Sequence, residues 1–446
     1  MKRFFVFAGG LVCTVVVASG AQILEEWWTG TQGTGDWLGA RPVLADHGLS
    51  FFGWWGADYT GVVDGGVSCG GTFEEELYFG ATLDAAKATG AGALEGLTFT
   101  GGVRWRDGAN SNIYAGDSPV FSPSLYQSGM GWRMMPFYAT YVTPELFGVP
   151  KLLTLSGGWQ NPYNFFVQQD ASKLFRNNMI ASSKGITANG VGWSSSYAAW
   201  GGFLKVQPVN WYYAQAGMYL AIPGGADSAN HGLDFAGARP ARDNGIFLIG
   251  ETGFTPKIGP SKLPGKYALG GYSWGLEASA YTGEIRDNRW GLYWQADQMI
   301  WREPSASDGK AVADGKSFAK NVAEPTLRDE GLSLFSYFYF APEKENALPF
   351  YYQAGAVYKG LLPTRGEDRL AAVIGMATYS GGFVFNDEEG GVEYAKDYEG
   401  VIEVDYRFQV NRWAYIQPFV QYLIRPGGTD SVANATAIGV HFQVQF

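Results

Sequence analysis

The chain has 446 residues and a net charge of −10, with 17% charged and 16% aromatic residues. Globular proteins usually carry about 25% charged residues, so this surface is short of charge, and its acidic balance argues against a nucleic-acid partner. Mean hydropathy is −0.10, and past the N-terminus no apolar run approaches the roughly 18 residues of a membrane-spanning helix. A nucleic-acid-binding protein and a bundle of spanning helices are therefore excluded.

The N-terminus has the pattern of a secretory signal peptide. Residues 2–3 are basic, residues 4–18 are largely apolar, and residues 19–21 are small, as expected at a cleavage site. We therefore predict that residues 1–21 are removed. The mature chain would keep one cysteine, Cys69, so neither an internal disulfide nor a cysteine-based metal site is expected.

Residues 22–48 precede the first predicted strand and contain a short predicted helix at 36–47. The first residue of this helix is an aspartate, which can accept a hydrogen bond as N-cap, and Gly48 suits the end of the helix. We expect the helix to lie at the mouth of the domain that follows, where it either packs Trp37 and Leu38 against the end of that domain or partly plugs it.

The rest of the chain is a series of segments in which apolar residues alternate with small or polar ones. The last segment, 435–446, places Ile438, Val440 and Phe442 on one face and His441 on the other, because side chains of a strand alternate with period two. Their lengths suit the roughly 9–11 residues of a tilted membrane-crossing strand. The sixteen predicted strands are 49–63, 72–85, 94–107, 131–142, 151–160, 197–207, 210–221, 243–254, 266–283, 290–302, 328–341, 349–360, 368–381, 397–410, 412–425 and 435–446.

The connections support an all-β, transmembrane antiparallel barrel over residues 49–446. If the last strand ends in the periplasm, connections after even-numbered strands should be short periplasmic turns, and most of them are. One long connection, 303–327, falls on the periplasmic side, so it is either an insertion or a sign of a miscounted strand. Sixteen strands suffice for a water-filled lumen. The connections predicted to be long and external are 108–130, 161–196, 222–242 and 382–396.

The alternation also assigns polar side chains to the lumen. An Arg or Lys facing lipid costs roughly 2–4 kcal/mol at the membrane midplane, so charged residues within strands should point inward. In 266–283, Tyr272 and Trp274 are predicted to face lipid; in 94–107, Thr98 and Thr100 are predicted to face the lumen. The inward side chains either form an ion-pair network that stiffens the wall or contact the solute directly. The pore-lining candidates are Glu74, Glu76, Arg104, Arg106, Glu277, Asp297, Glu403, Asp405, Arg407, Gln417 and Gln421.

Six spaced segments resemble, in the same order, the carbohydrate-selective porins of the OprB family. The first reads Gly-Asp-Trp-Leu-Gly-Ala-Arg and stands before the first strand, where the family has Gly-Asp-Trp-Gly-Gly-x-Arg. Together the segments cover both ends of the mature chain and much of its C-terminal third. They are 35–41, 297–304, 331–335, 359–368, 398–406 and 417–428.

The resemblance implies a sixteen-stranded barrel of the Gram-negative outer membrane through which sugars, glucose among them, diffuse passively. Its partners would be membrane lipid, lipopolysaccharide and small carbohydrates. Porins of this size are often trimers, so the resemblance allows a homotrimer, although nothing in the sequence decides the oligomeric state. No cofactor or metal is expected. The alternative is a general or organic-acid-selective diffusion porin. The mixed charges predicted for the lumen favour neutral solutes.

An enzymatic barrel is not supported by the histidines. A catalytic triad needs a histidine within reach of a nucleophile such as serine, and the chain has only His47, His231 and His441. None of the three falls on a predicted lipid-facing wall beside a serine. We therefore expect no enzymatic activity.

Overall fold

The structure is a computed structural model of the whole chain. Within the described residues, no helix combines the length and the apolarity needed to cross a membrane. The described residues are 3–8, 11–16, 20–116, 118, 120–126, 130–183, 185–189, 197–221, 245–275, 278–279, 285–286, 288–304, 329–381, 384–386, 393–395 and 397–446.

Sixteen antiparallel strands, β1 to β16, form one closed barrel. Each strand pairs with the next along the chain, and β16 closes the ring on β1, with Phe442 opposite Ala57. Each of the sixteen predicted segments overlaps one of these strands, so the predicted fold class is confirmed. The strands are β1 Leu49–Gly66, β2 Gly70–Asp84, β3 Leu97–Gly108, β4 Gly131–Val142, β5 Leu153–Gln160, β6 Ala199–Val209, β7 Tyr212–Leu220, β8 Ile246–Phe254, β9 Leu263–Trp274, β10 Arg289–Arg302, β11 Gly331–Phe340, β12 Phe350–Lys359, β13 Arg369–Thr378, β14 Tyr398–Gln409, β15 Ala414–Ile424 and β16 Ala433–Gln445.

Short helices and two-stranded ribbons lie before the barrel and in its connections. The α-helices are α1 Gly20–Thr29, α2 Ala40–Asp46, α3 Ala85–Thr89, α4 Asn112–Ala115 and α5 Ile186–Asn189. Single helical turns of other types are Gly92–Leu94, Pro162–Asn164, Ser172–Leu174, Met179–Ser183 and Pro426–Gly428. Short strands are Arg3–Ala8, Leu11–Val16, Glu145–Leu146, Val149–Pro150, Lys257–Ile258, Ala278–Ser279, Ile285–Arg286, Val384–Asn386 and Glu393–Ala395.

The long connections lie mainly at one end of the barrel. We call the end at which β1 begins and β16 ends the terminal end, and the opposite end the far end. Connections at the terminal end are short except for 303–330, between β10 and β11. The barrel has the predicted sixteen strands, so the length of this connection does not come from a miscounted strand. Residues 305–328 of it lie outside the described part of the chain.

The predicted inward and outward faces are confirmed on most strands. On β14, Ile402 and Val404 are 42% and 43% exposed on the outer surface, whereas Glu403 between them is fully buried inside. On β16, Ile438 is 45% exposed and His441 is buried. The outer wall is therefore an apolar band suited to lipid, and the polar side chains point inward.

For β9 the predicted orientation was wrong. Tyr272 and Trp274 are 5% and 1% exposed and point into the barrel, while Leu269 is 53% exposed on the outside. The reason is that this part of the lumen is filled with apolar side chains, so apolar residues on β9 need not face lipid. The strand also ends at Trp274, earlier than predicted. Glu277, placed inward by the same prediction, lies outside the described residues.

The N-terminal segment lies against the terminal end, but its helix starts later than predicted. Helix α2 begins after Gly39, which has no side-chain capping bond, and it ends before Gly48, whose φ is 89°. The Trp37 ring packs on Phe51, with centroids 5.0 Å apart. Leu38 is 69% exposed, so the predicted contact of this residue with the barrel is not formed.

Candidate functional site

Two far-end connections fold back into the barrel and narrow its lumen. We call residues 109–126, between β3 and β4, inner loop 1, and residues 161–189, between β5 and β6, inner loop 2. The sequence predicted both as external loops. Nothing in their own residue pattern signalled that they return into the barrel, because their binding partners lie on distant strands.

Inner loop 2 is held by carboxylates that accept hydrogen bonds from its backbone. Glu403 Oε1 on β14 accepts from the N–H groups of Arg176 at 2.6 Å and Asn177 at 3.3 Å. Glu251 Oε2 on β8 accepts from the N–H of Val167 at 3.0 Å. Hydrogen bonds to ionised acceptors are about twice as strong as neutral ones. These wall residues therefore fix the loop across the lumen, from β8 to β14.

Inner loop 1 is bound in the same way, by carboxylates on both sides of the barrel closure. Glu74 Oε1 on β2 accepts from the N–H of Tyr126 at 3.0 Å. Glu399 Oε2 on β14 accepts from the Ser118 hydroxyl at 2.5 Å and from the Phe121 N–H at 3.4 Å. Both glutamates are 1% exposed. The predicted inward carboxylate Glu74 thus anchors a loop.

A buried ion pair fixes inner loop 2 to the first strand. Arg176 Nε donates to Asp58 Oδ1 at 2.9 Å, and a second guanidinium nitrogen contacts Asp58 Oδ2. His441 Nδ1 lies 3.0 Å from the same carboxylate. Asp58 is 1% exposed, Arg176 5% and His441 0%. Because the paired groups are shielded from water, the pair resists screening and holds the loop close to the closure between β1 and β16.

A second patch of predicted residues surrounds Glu76 on β2. Arg106 Nε donates to Glu76 Oε2 at 2.5 Å, and Arg104 Nε lies 3.6 Å from the same oxygen. The Arg104 guanidinium lies over the Tyr78 ring at 4.9 Å, and that of Arg106 over Tyr126 of inner loop 1 at 5.1 Å. These cation–π contacts add to the ion pairs. The structure thus brings Glu76, Arg104 and Arg106 together with Glu74 nearby.

The other predicted residues gather on β14 and β15. Gln417 Nε2 donates to Asp405 Oδ1 at 2.7 Å, and its Oε1 accepts from Arg407 Nε at 2.8 Å. Gln421 Oε1 accepts from the Asn177 amide at 3.1 Å. This patch also contains Glu403. Asp297 stands apart from it on β10, directly opposite Lys266 in the strand register.

One half of the lumen is filled by aromatic packing. The apolar side of inner loop 2 includes Phe166, Phe175 and Ile180, each 0% exposed. The Phe175 ring packs on Phe335 of β11, with centroids 5.7 Å apart. The inner tyrosines of β9 to β12 are buried in the same cluster, so little room for solute remains along this wall. They are Tyr272, Tyr293, Tyr337, Tyr339 and Tyr351.

The opposite wall, β3 to β7, borders an open cavity of about 440 Å³. Inner loop 2 forms its roof through Asn164 and Phe165. The lining is rich in hydroxyl and amide groups and contains one lysine and three aromatic rings. Sequence reasoning placed Thr98 and Thr100 inward but missed the other lining residues. The lining residues are Thr98, Thr100, Tyr138, Thr140, Thr154, Asn164, Phe165, Phe203, Lys205 and Gln215.

Comparison with known proteins supports a porin. The chain is 25% identical over 432 residues to Porin B of Pseudomonas aeruginosa, covering 92% of this chain and 90% of the relative. It is 21% identical to the putative porin QuiX of Acinetobacter baylyi over the full length of both chains. The high-pH structure of Pseudomonas putida OprB superposes with a TM-score of 0.78 at 21% identity, covering 94% of this chain and 99% of that one.

The family model for the carbohydrate-selective porins, OprB family, matches residues 137–446, well over half of the chain. The match covers β5 to β16 and nearly all of inner loop 2's wall partners. It also agrees with the sixteen-stranded closed barrel and its inward polar face. The chain belongs to the OprB family of carbohydrate-selective porins.

Proposed function

We propose that this porin of the Gram-negative outer membrane lets neutral monosaccharides, glucose among them, diffuse passively into the periplasm along the β3–β7 wall. The observation that carries the proposal is the cavity of about 440 Å³ between that wall and inner loop 2. Its volume falls within the roughly 300–1,000 Å³ of small-molecule sites.

The lining suits a ligand with many hydroxyl groups and no charge. Thr98, Thr140 and Thr154 offer hydroxyl groups along three neighbouring strands, which can exchange hydrogen bonds with a sugar. The rings of Phe165 and Phe203, 4.5 Å apart, offer apolar faces. The cavity is open to solvent, which favours the weak binding and fast release that passage requires.

For most of the predicted pore-lining residues we propose an indirect role. Glu74, Glu76, Arg104 and Arg106, together with the β14–β15 patch apart from Arg407, hold the inner loops and so set the width of the passage. Arg407 is partly exposed, and we propose that it contacts the sugar directly, whereas Asp297 lies on the filled wall with both carboxylate oxygens buried. Most of the predicted residues that the structure describes would then be loop anchors and not solute contacts.

We further infer that residues 1–21 are a removed signal peptide, residues 22–48 a periplasmic segment and residues 49–446 the membrane barrel. The family and the fold indicate a channel, and we accordingly assign no enzymatic activity to it. The homotrimer and the contacts with lipid and lipopolysaccharide remain predictions. Cross-linking followed by mass determination of the detergent-purified porin tests the trimer.

Liposome swelling with the purified porin tests the proposed passage. Solutions of glucose, a disaccharide, a neutral amino acid and a dicarboxylate are compared, and we expect glucose to enter fastest. Equal entry of all small solutes would instead support general diffusion. Faster entry of the dicarboxylate than of glucose would support the organic-acid-selective alternative.

Two neighbouring positions on β5 test whether the cavity is the path. Thr154 lines the cavity, whereas Leu155 is 47% exposed on the outer surface. We expect Thr154→Trp to slow glucose entry severely because the indole fills part of the cavity. Leu155→Trp is the matched control and should behave as wild type. Unchanged glucose entry through folded Thr154→Trp would place the path elsewhere.

A further inference from the structure

Along the inner wall, the acidic side chains are more deeply buried than several of the basic side chains. The inward carboxylates of the described strands are mostly buried, at 5% exposure or less, and most accept hydrogen bonds from an inner loop or an arginine. The wall and the inner loops thus shield these carboxyl groups from a solute in the lumen. These carboxylates are Asp58, Glu74, Glu76, Glu251, Glu399, Glu403 and Asp405.

Two further carboxylates do not change this picture. Asp297 has both carboxylate oxygens buried and stands directly opposite Lys266 in the register of β9 and β10. Asp84, at the end of β2, accepts a hydrogen bond from the Lys87 N–H at 3.0 Å and so caps α3.

Besides Lys266, whose ammonium donates to the Gln168 carbonyl of inner loop 2, three basic side chains are partly exposed in the terminal half of the lumen. Lys205 on β6 lines the open cavity, with its ammonium 4.7 Å from the centre of the Tyr213 ring. Arg369 on β13 stands directly opposite Arg407 on β14. Like charges directly opposite on neighbouring strands repel each other. The positive potential of Arg369 and Arg407 is therefore concentrated at one height along the barrel axis and extends into the lumen.

These basic groups face each other across the passage. Strands β6 and β14 are eight strands apart in a ring of sixteen, so Lys205 and Arg407 stand on opposite walls. Lys205 is four residues from the terminal end of β6, and Arg407 is two residues from that of β14. A solute that has passed inner loop 2 therefore moves between positive charges on both sides.

From this segregation of charge we propose that the pore takes carboxylated monosaccharides, aldonates and uronates, in preference to aminated sugars. The inference rests on the proposed sugar passage and adds to it the sign of the charge that the sugar can carry. The hydroxyl groups would meet the same threonines, and the carboxylate would pair transiently with Lys205, Arg369 or Arg407. In water, one unit charge about 7 Å from the path changes the local concentration of a monovalent ion roughly threefold.

Reversal potentials across planar bilayers test the proposal directly. In a gradient of potassium gluconate, we expect the gluconate permeability of the wild-type porin to exceed that of a neutral solute of the same size. In potassium chloride, we expect the permeability for chloride to exceed that for potassium by about threefold or more. In glucosamine hydrochloride, chloride should carry nearly all the current. A wild-type porin that prefers cations or shows no preference would overturn the proposal.

Two double variants that remove the same number of positive charges distinguish the effect of lumen charge from the effect of overall charge. The Lys205→Gln/Arg369→Gln variant should lose most of the anion preference. The Lys151→Gln/Lys262→Gln variant removes the same charge from exposed turns at the same end and should keep it. Equal loss in both variants, or no loss in the first, would contradict the assignment.

Glucose swelling distinguishes this proposal from the function on which it rests. If wild-type porin admits glucose but shows no anion preference, the charge proposal alone fails. If it shows the anion preference but excludes glucose, the sugar passage fails and the basic lumen remains.

Discussion

Replacing Asp58 by asparagine should release inner loop 2 from the wall. Asp58 pairs with Arg176 through two contacts, one of them 2.9 Å long, and both side chains are at most 5% exposed. Removing one partner of such a buried pair typically costs about 3–5 kcal/mol, because the other charge is left unpaired. At about 1.4 kcal/mol per tenfold change, the released population should rise by at least about a hundredfold.

Single-channel recording is the assay, since a released loop widens the passage. We expect Asp58→Asn to show a larger mean conductance and frequent transitions between levels. The matched control is Asp170→Asn on the same loop, where the ion pair to Lys173 has side chains 89% and 51% exposed. Exposed pairs contribute about 0–1 kcal/mol, so this control should record as wild type.

A double variant checks that the unpaired charge is the cause. Asp58→Leu/Arg176→Met removes both charges, and replacing a buried pair by apolar residues of similar volume is often neutral or stabilising. We expect its conductance to be steadier than that of Asp58→Asn. If Asp58→Asn gave the same single-channel recordings as wild type, the role given to this ion pair would be refuted. The same would hold if the double variant changed between conductance levels as often as Asp58→Asn.

Two further predictions concern the terminal end. The Trp413 indole donates to the Trp27 carbonyl at 3.1 Å and packs on its ring at 4.8 Å. Trp413→Ala should therefore expose the N-terminal segment to limited proteolysis, while Trp211→Ala, an exposed residue at the same end, should not; equal cleavage of both would contradict the docking. Asp368 is 2% exposed in the turn before β13 and pairs with Arg365 at 2.8 Å. Burial by itself raises the pKa of this carboxyl, but the arginine and the hydrogen bonds outweigh it and hold the pKa below its ordinary value. The stabilisation is thus present above the ordinary pKa and is lost as pH falls through the lowered one. Between about pH 5 and pH 2, the midpoint temperature of thermal unfolding should fall less steeply with falling pH in Asp368→Asn than in wild type. The same pH dependence in both proteins would contradict the assignment.

The barrel itself could be predicted from the sequence because lipid imposes a local rule. On β14, a charged residue between Ile402 and Val404 cannot face hydrocarbon, so the inward position of Glu403 follows from its two neighbours. The same rule gave sixteen strands and the closure between β1 and β16. It failed on β9, where Tyr272 and Trp274 meet an apolar lumen filling instead of lipid.

The partners of the inward side chains could not be predicted, because they depend on contacts distant in sequence. Glu403 binds the backbone of Arg176, 227 positions away, and backbone N–H groups carry no sequence signal. The sequence therefore indicated a lumen of mixed charge. In the structure, the inner loops bury the acids, and Lys205, which no sequence argument singled out, lies on the cavity wall.

The double attachment of inner loop 2 also constrains the order of folding. Residue Arg176 contacts Asp58 near the start of the barrel and Glu403 near its end, so its complete binding site exists only when the two edge strands have met. Contacts between residues so distant in sequence form slowly, since a long loop must close before they contribute. The lumen should therefore acquire its final width last, after the ring has closed in the membrane.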